Sequence, residues 1–329
     1  MRTPAVTVVI PTYDRALYLG DAMRSVLAQT FGDLELVVVD DGSADGTSAV
    51  VHAIGDARLR LVQQPHRGIG AALNAGLRGA RGRYVARLDS DDVWLPEMLE
   101  TLVPVLDARP EVGVAYGRGQ AMDERGRPLA HLQGLPERFP GESLRSLVYD
   151  DCTCNVALLA RRACFDRVGG YDEALVANED WDMWLRVARY WQFAFVDRVL
   201  ARIRWHDGNL TGPASPQFAD VLAARTAPLD KLFRDPDLPA AIRSMEPAAY
   251  ANVHLFRGLR WLQAKGVRRS VGNAAREFSL AIRASDRRLE TAARIAWFAG
   301  AVPMLRRVSP GRRALAAVAA RRPSRAARR

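Results

Sequence analysis

The chain has 329 residues, 49% hydrophobic and 26% charged, the make-up of an ordinary globular protein with room for one core domain and an extension. Its formal charge of +10 is uneven: residues 1–212 carry −5, residues 213–329 carry +15, and no acidic residue follows Glu290. A mildly acidic body with a basic tail argues against a nucleic-acid-binding core and for anionic surfaces met by the tail. Cys152, Cys154 and Cys164 form no paired framework, and Cys152-x-Cys154 lacks the second ligand pair of a zinc site, so they read as core thiols in a reducing compartment. No apolar run approaches the roughly 20 residues of a membrane span. Met1-Arg2-Thr3-Pro4 is no secretory signal, so the expected location is cytoplasmic.

Val6–Ile10 reads as a buried parallel-type strand running into Pro11-Thr12-Tyr13-Asp14-Arg15. Helical spacing of Leu19, Ala22, Met23, Val26 and Leu27 predicts a helix over about 17–29. Leu34–Val39 is the second strand, ended by Asp40-Asp41-Gly42-Ser43, and a helix opens at Asp45-Gly46-Thr47. Leu59–Val62 is a third strand, and Gly68-Ile69-Gly70 precedes a helix over 71–80. Strand and helix alternate at short spacing, so the fold class is α/β with a mostly parallel sheet. A dinucleotide fingerprint would need glycines after the first strand, where Pro11-Thr12-Tyr13 stands; Gly68-x-Gly70 lacks the third glycine and reads as a tight turn.

The chemistry concentrates at Arg83–Pro96. An apolar strand (Tyr84, Val85, Leu88) ends in Asp89-Ser90-Asp91-Asp92, and Trp94-Leu95-Pro96 reads as a helix start. Carboxylates two residues apart on an extended tip can converge on one hard cation, Mg²⁺ or Mn²⁺, that also binds phosphate. The competing reading is an acidic turn with Asp92 as N-cap. Thr12-Tyr13 and Asp40-Asp41 end their strands at the same edge and line one crevice with Asp89 and Asp91.

Val8-Val9-Ile10-Pro11-Thr12-Tyr13, Val38-Val39-Asp40-Asp41-Gly42-Ser43 and Leu88-Asp89-Ser90-Asp91-Asp92 together resemble family-2 glycosyltransferases of the GT-A fold. Arg161-Arg162, Val168-Gly169-Gly170-Tyr171-Asp172-Glu173 and Asn178-Glu179-Asp180-Trp181-Asp182-Met183-Trp184 extend the likeness, which covers about residues 4–210. It implies a Rossmann-like nucleotide-sugar half (about 1–115) merged with an acceptor half (116–212), followed by a helical extension (213–329). It also implies an inverting transfer from a nucleoside-diphosphate sugar to a saccharide or lipid-linked hydroxyl, in surface polysaccharide or glycolipid synthesis.

The resemblance implies roles for particular residues. Pro11, Thr12, Tyr13 and Arg15 would pack on the nucleotide. Asp41, beside Asp40, would accept a hydrogen bond from the base, Asp89 would meet ribose or metal, and Ser90 would contact the nucleotide. Arg67 would reach the nucleotide or diphosphate, although a surface arginine is the competing reading. Asp91, with Asp89 and His206 of Trp205-His206-Asp207-Gly208-Asn209, would hold Mg²⁺ or Mn²⁺. Asp180 would be the general base, with Glu179 and Trp181 on the acceptor side. Adjacent carboxylates in a partly apolar site can separate their pKa values, and both equally suit the first turn of a helix. Asp150–Asn155 precedes a strand over 156–160 and falls at the acceptor side.

After Gly212 the pattern becomes helical, with amphipathic stretches over 250–262 and 273–285 and a mostly apolar stretch over 289–305 that runs into arginines. That composition suits peripheral contact with an anionic membrane; the competing reading is a helix packed on the core before a solvated tail. No aromatics interleave the basic run, which argues against nucleic acid. Other readings of the whole are a non-catalytic sugar-nucleotide binder, an Asp-x-Asp phosphatase and a nucleotidyltransferase. The absence of lysine in residues 1–212 opposes the phosphatase, and the absence of a Gly-rich N-terminal loop opposes the nucleotidyltransferase.

Overall fold

A computed structural model describes residues 3–264, 267–288, 290–292 and 294–295. The chain runs β1 (Val6–Thr12), α1 (Ala16–Leu27), β2 (Leu34–Asp40), α2 (Thr47–His52), β3 (Leu59–Gln63), α3 (Ile69–Arg78), β4 (Tyr84–Arg87), β5 (Val93–Trp94) and α4 (Met98–Ala108). It continues through β6 (Val112–Met122), β7 (Pro128–Gln133), α5 (Ser143–Tyr149), β8 (Leu158–Arg161), α6 (Arg162–Val168), α7 (Glu179–Val187) and β9 (Gln192–Arg204). All nine strands form one mixed sheet in the order β3-β2-β1-β4-β8-β6-β9-β5, with β7 on β6.

The sheet has two halves. β1 to β4 pair in parallel, as buried strands joined by helical crossovers must. At β4 the direction changes, since β8 pairs antiparallel to both β4 and β6. The point of change lies beside the acidic tip after β4, where an open α/β sheet leaves a crevice.

Alternation along β1 sends Val6, Val8 and Ile10 into one core with Leu19 and Met23 of α1, while Val9 faces the other with Val37 and Val85. Gly76 of α3 lies against Val9, where an added Cβ would come within 2.4 Å of its Cγ1. The second core also takes Trp181 and Trp184 of α7. It continues into α9 (Ala227–Arg234) and α11 (Glu246–Gln263), which follow α8 (Phe218–Ala223) and flank α10 (Ala240–Arg243). Leu229, Leu232, Phe233, Ile242 and Val253 are buried there. The helical segment thus packs on the sheet at least as far as Val253. α11 pairs with α12 (Val267–Ala284) at a close approach of Gly258 to the Phe278 ring.

The structure corrects three local expectations. Trp94-Leu95-Pro96 starts no helix: Val93–Trp94 is a short strand antiparallel to β9, and α4 begins at Met98. Asp92 is not an N-cap, because its carboxylate accepts the backbone N–H of Arg204 at 2.7 Å. The segment 156–160 splits into a 3₁₀ turn over Asn155–Ala157 and then β8. All three cysteines are buried and free. Among the described residues no helix is long and apolar enough to cross a membrane. Most of the apolar stretch 289–305 and the whole arginine tail lie outside the described residues.

Candidate active site

Register pairs Thr12 with Asp40 and Val9 with Arg87, so the loops after β1, β2 and β4 leave the sheet at one edge. Tyr13 is 44% exposed there, and its ring stacks on His66 with centroids 4.1 Å apart. The next residue, Asp14, takes the left-handed φ of 48° that non-glycine residues rarely adopt, and its carboxylate accepts the N–H of Ala44 at 2.8 Å. Pro11 is buried in the sheet, and the buried Thr12 Oγ1 has no hydrogen-bond partner.

Asp41 organises the loop after β3. Its Oδ1 accepts from Gln64 Nε2 (2.7 Å) and Arg67 N (3.0 Å), and its Oδ2 from Gly68 N (2.8 Å) and His66 Nδ1 (2.8 Å). Four donors fill the four lone-pair sites of a carboxylate, so a base N–H reaches Asp41 only by displacing Gln64 or His66. Asp40 Oδ1 accepts Ser43 N at 2.9 Å. Arg67 does not point at the crevice: its guanidinium pairs with Glu173 at 2.8 Å.

The acidic tip divides its carboxylates between two partners. Asp91 Oδ2 lies 3.0 Å from His206 Nε2, 3.4 Å from Asn209 Nδ2 and 3.9 Å from Arg15 Nε. Arg15 also donates to Gly208 O at 2.8 Å, so it lies with Asp91 and His206 rather than with Tyr13 and Asp41. Asp89 turns away. Its Oδ1 accepts from Arg87 Nη2 (2.8 Å) and Nε (3.2 Å), while Arg87 Nη1 donates to Glu179 Oε1 at 2.9 Å. Ser90, between the two aspartates, is buried.

Arg87 is the residue the sequence reading missed. Its signal was a charge inside an apolar strand, which is buried only when paired. Burial works against the Arg87 charge, yet Asp89 and then Glu179 hold its pKa well above the ordinary value. Burial raises the carboxyl of Asp89, with Arg87 opposing and Asp91 adding to the rise. Glu179 is raised by burial and then by Asp180, against Arg87.

At the far side, Asn178 takes a left-handed φ of 62° and delivers the chain into α7. Asp180 Oδ2 accepts from Asn155 Nδ2 at 2.5 Å, and Asn155 Oδ1 accepts the Trp184 indole N–H at 2.5 Å. Asp180 Oδ1 accepts the N–H of Trp181 at 2.7 Å. Nearby Asp151 is pushed up to about 7 by burial and then by the charge of Asp180. Two expectations are corrected here. Glu179 is spent on Arg87 and buried, and Trp181 is 2% exposed with its indole N–H donated to Leu147 O, so neither presents a surface to an acceptor.

Asp91 and His206 supply one carboxylate oxygen and one imidazole nitrogen, donors that suit Mn²⁺ or Mg²⁺ completed by phosphate oxygens and water. Gly208 N–H donates to His206 Nδ1 at 3.1 Å, which places the proton of a neutral ring on Nε2, facing Asp91. Ligation through Nε2 therefore needs the other tautomer and release of that Gly208 bond. Asp89 fits the role less well, with Oδ1 already taken by Arg87. Among the described residues no three His, Cys, Asp or Glu side chains converge as a metal cluster.

The family model for glycosyl transferase family 2 matches residues 7–165. An uncharacterised glycosyltransferase of Rickettsia typhi is 30% identical over 241 residues, covering 70% of this chain and 74% of that protein. Residues 1–349 of Staphylococcus aureus TarS, in complex with UDP-GlcNAc, superpose with a TM-score of 0.63 at 21% identity, covering 86% of this chain and 82% of that one. The mannosyltransferase PcManGT of Pyrobaculum calidifontis, in complex with GDP-Man and Mn²⁺, gives 0.57 at 23% identity, covering 91% and 80%. With its sheet, its helices and this likeness taken together, the chain belongs to glycosyl transferase family 2.

Proposed function

We propose that the chain transfers a sugar, with inversion, from a nucleoside-diphosphate sugar to the hydroxyl of a saccharide or lipid-linked acceptor, with residues 1–212 carrying the chemistry. The observation that carries this reading is the Asp89–Arg87–Glu179 bridge. One buried guanidinium ties the tip that carries Asp91 to the first turn of α7, which carries Asp180. The donor class rests on the neighbours, which are complexes with UDP-GlcNAc and GDP-Man.

In this reading Tyr13 offers its exposed ring to the base, and the unpartnered Thr12 hydroxyl and the Asp40–Asp41 loop take up the nucleoside. Asp91 and His206 hold a divalent cation, with Arg15 beside them for the diphosphate. Bound there, the cation would act as a Lewis acid on the leaving diphosphate. Asp180 removes the acceptor proton: Asn155 and the Trp181 N–H fix its carboxylate, and attack opposite the leaving group inverts the anomeric centre. Glu179, Trp181 and Arg87 are positioning residues behind it.

The test is a thermal-shift panel of UDP, GDP, dTDP, CDP and ATP with and without Mn²⁺, on wild type, Asp91→Asn and Asp180→Asn. A ligand that binds only the folded state raises the melting temperature with occupancy. One diphosphate should stabilise wild type and Asp180→Asn only with metal, and Asp91→Asn should lose that response. If no nucleotide shifts the wild type under any condition, the reading fails.

A further inference from the structure

The helical segment brings arginines to the Asp180 side of the crevice. Asn252, Phe256 and Arg260 recur at four-residue spacing on α11 and so share one face. Asn252 Nδ2 donates to Tyr149 O, just before Asp150 and Asp151, and Arg260 Nη2 donates to Thr211 O, in the loop after His206. That face therefore forms a roof running from the segment before Asp150 to the loop after His206.

Arg225, in the turn between α8 and α9, lies under this roof. Its guanidinium sits 4.1 Å from the Phe256 ring centroid and 5.0 Å from that of Trp181, and Nη1 donates to Asn178 Oδ1 at 3.2 Å. Asn178 and Trp181 flank Glu179–Asp180, so Arg225 stands beside the proposed base. Ring faces fix a guanidinium without neutralising it or consuming its N–H donors. Of five such donors, Arg225 spends one, on a neutral amide. Arg260 is likewise bonded only to neutral oxygens, those of Thr211 and Gln263.

Among the described residues neither arginine pairs with a carboxylate. Asp150 and Asp151 are near without bonding to either arginine: burial raises both carboxyls, Asp151 to about 7, and Arg225 opposes the rise in each. Two guanidinium groups held in place with no carboxylate bonded to them make a receptor for an oxyanion.

We propose that Arg225 and Arg260 form an anion-binding subsite beside Asp180 that takes a phosphate or carboxylate group of a substrate. That the anion belongs to a substrate rests on the glycosyltransferase reading; that the subsite binds anions does not. Two sources share the chemistry, an acidic group on the acceptor and the diphosphate of the donor.

The probes are inorganic phosphate and acetate, titrated calorimetrically in EDTA against the full chain, and the stabilising nucleoside diphosphate with Mn²⁺. Wild type is compared with Arg225→Gln, Arg260→Gln and Arg225→Lys, each checked for a cooperative melt. Phosphate or acetate affinity should fall about 10- to 100-fold in each Gln variant, as loss of a charge-assisted contact implies, and less in Arg225→Lys. Unchanged nucleotide affinity in the Gln variants assigns the subsite to the acceptor; a parallel fall assigns it to the donor diphosphate. If wild type binds both anions no more tightly than the Gln variants, the proposal is overturned, and intact nucleotide binding in the same samples leaves the transferase reading standing. A Gln variant that melts without cooperativity is replaced by Arg225→Met, and the same comparison decides.

Discussion

Replacing Arg87 with Met tests whether the bridge between the two acidic motifs is structural. The Arg87 side chain is 8% exposed and that of Glu179 6%, and their ion pair spans 2.9 Å. Met fills similar volume but leaves Glu179 buried without a counter-charge and Asp89 half-covered. Breaking a buried pair from one side costs about 3–5 kcal/mol, because the abandoned charge keeps its desolvation penalty. With an unfolding entropy of about 2.1 cal/mol/K per residue over 329 residues, that lowers the melting temperature by about 4–7 °C. Arg87→Met/Glu179→Gln removes the stranded charge and should recover most of the loss. Thermal melts followed by circular dichroism at pH 7 measure both. A loss below about 1 kcal/mol, the worth of an exposed pair, or a double variant no more stable than the single one, refutes the reasoning.

Asn155→Ala should lower kcat for transfer up to about 100-fold while leaving the donor KM unchanged, since Asp180 loses the amide that orients it; steady-state kinetics decide, and an unchanged kcat removes Asn155 from the mechanism. Gly258→Ala puts a Cβ 2.3 Å from Phe278 Cε1 and should cost about 1–3 kcal/mol, read as a lower melting temperature. Glu35, although burial raises its carboxyl, is lowered overall from 4.5 by Arg81 and Thr7. Its contribution is therefore complete above pH 4.5 and lost as pH falls through the lower folded value. Urea melts from pH 5 to pH 3 should show Glu35→Gln less stable than wild type near pH 5, with the gap closing toward pH 3.

The elements read most directly from sequence were those whose local pattern is also their tertiary role. β1 and β2 are continuous apolar runs because both faces are covered, and α1 and α11 carry helical periodicity because one face packs. β5 was invisible because two residues pairing with β9 leave no periodicity of their own, and the same contact takes Asp92 away from the helix it resembled capping. The acidic motifs were legible as clusters of carboxylates but not as geometry. Adjacent Glu179 and Asp180 differ in partner because Arg87, 92 positions before Glu179, claims one and Asn155 the other. Nothing local in Asn178–Trp184 encodes that division, nor that Trp181 turns inward to Leu147.

The change of pattern after Gly212 marks a change of element type and not the edge of a core. The first lysine of the chain, Lys231 on α9, reaches back to Asp172 at 2.6 Å and to Asp182 of α7 at 2.7 Å, and Arg189 pairs with Asp235 after α9. Asp182, 3% exposed, also pairs with Arg186 at 3.0 Å, so cations from both sides of the Gly212 boundary meet on one buried carboxylate. Beneath it Leu229, Leu232 and Phe233 extend the core that holds Trp181 and Trp184. α7 is thus held by its own core face, by Arg87 at its first residue and by α9 along its flank. Asp180 sits in the first turn of this helix, and such a fixed placement suits the role proposed for it, since a base must meet a hydroxyl within hydrogen-bond reach.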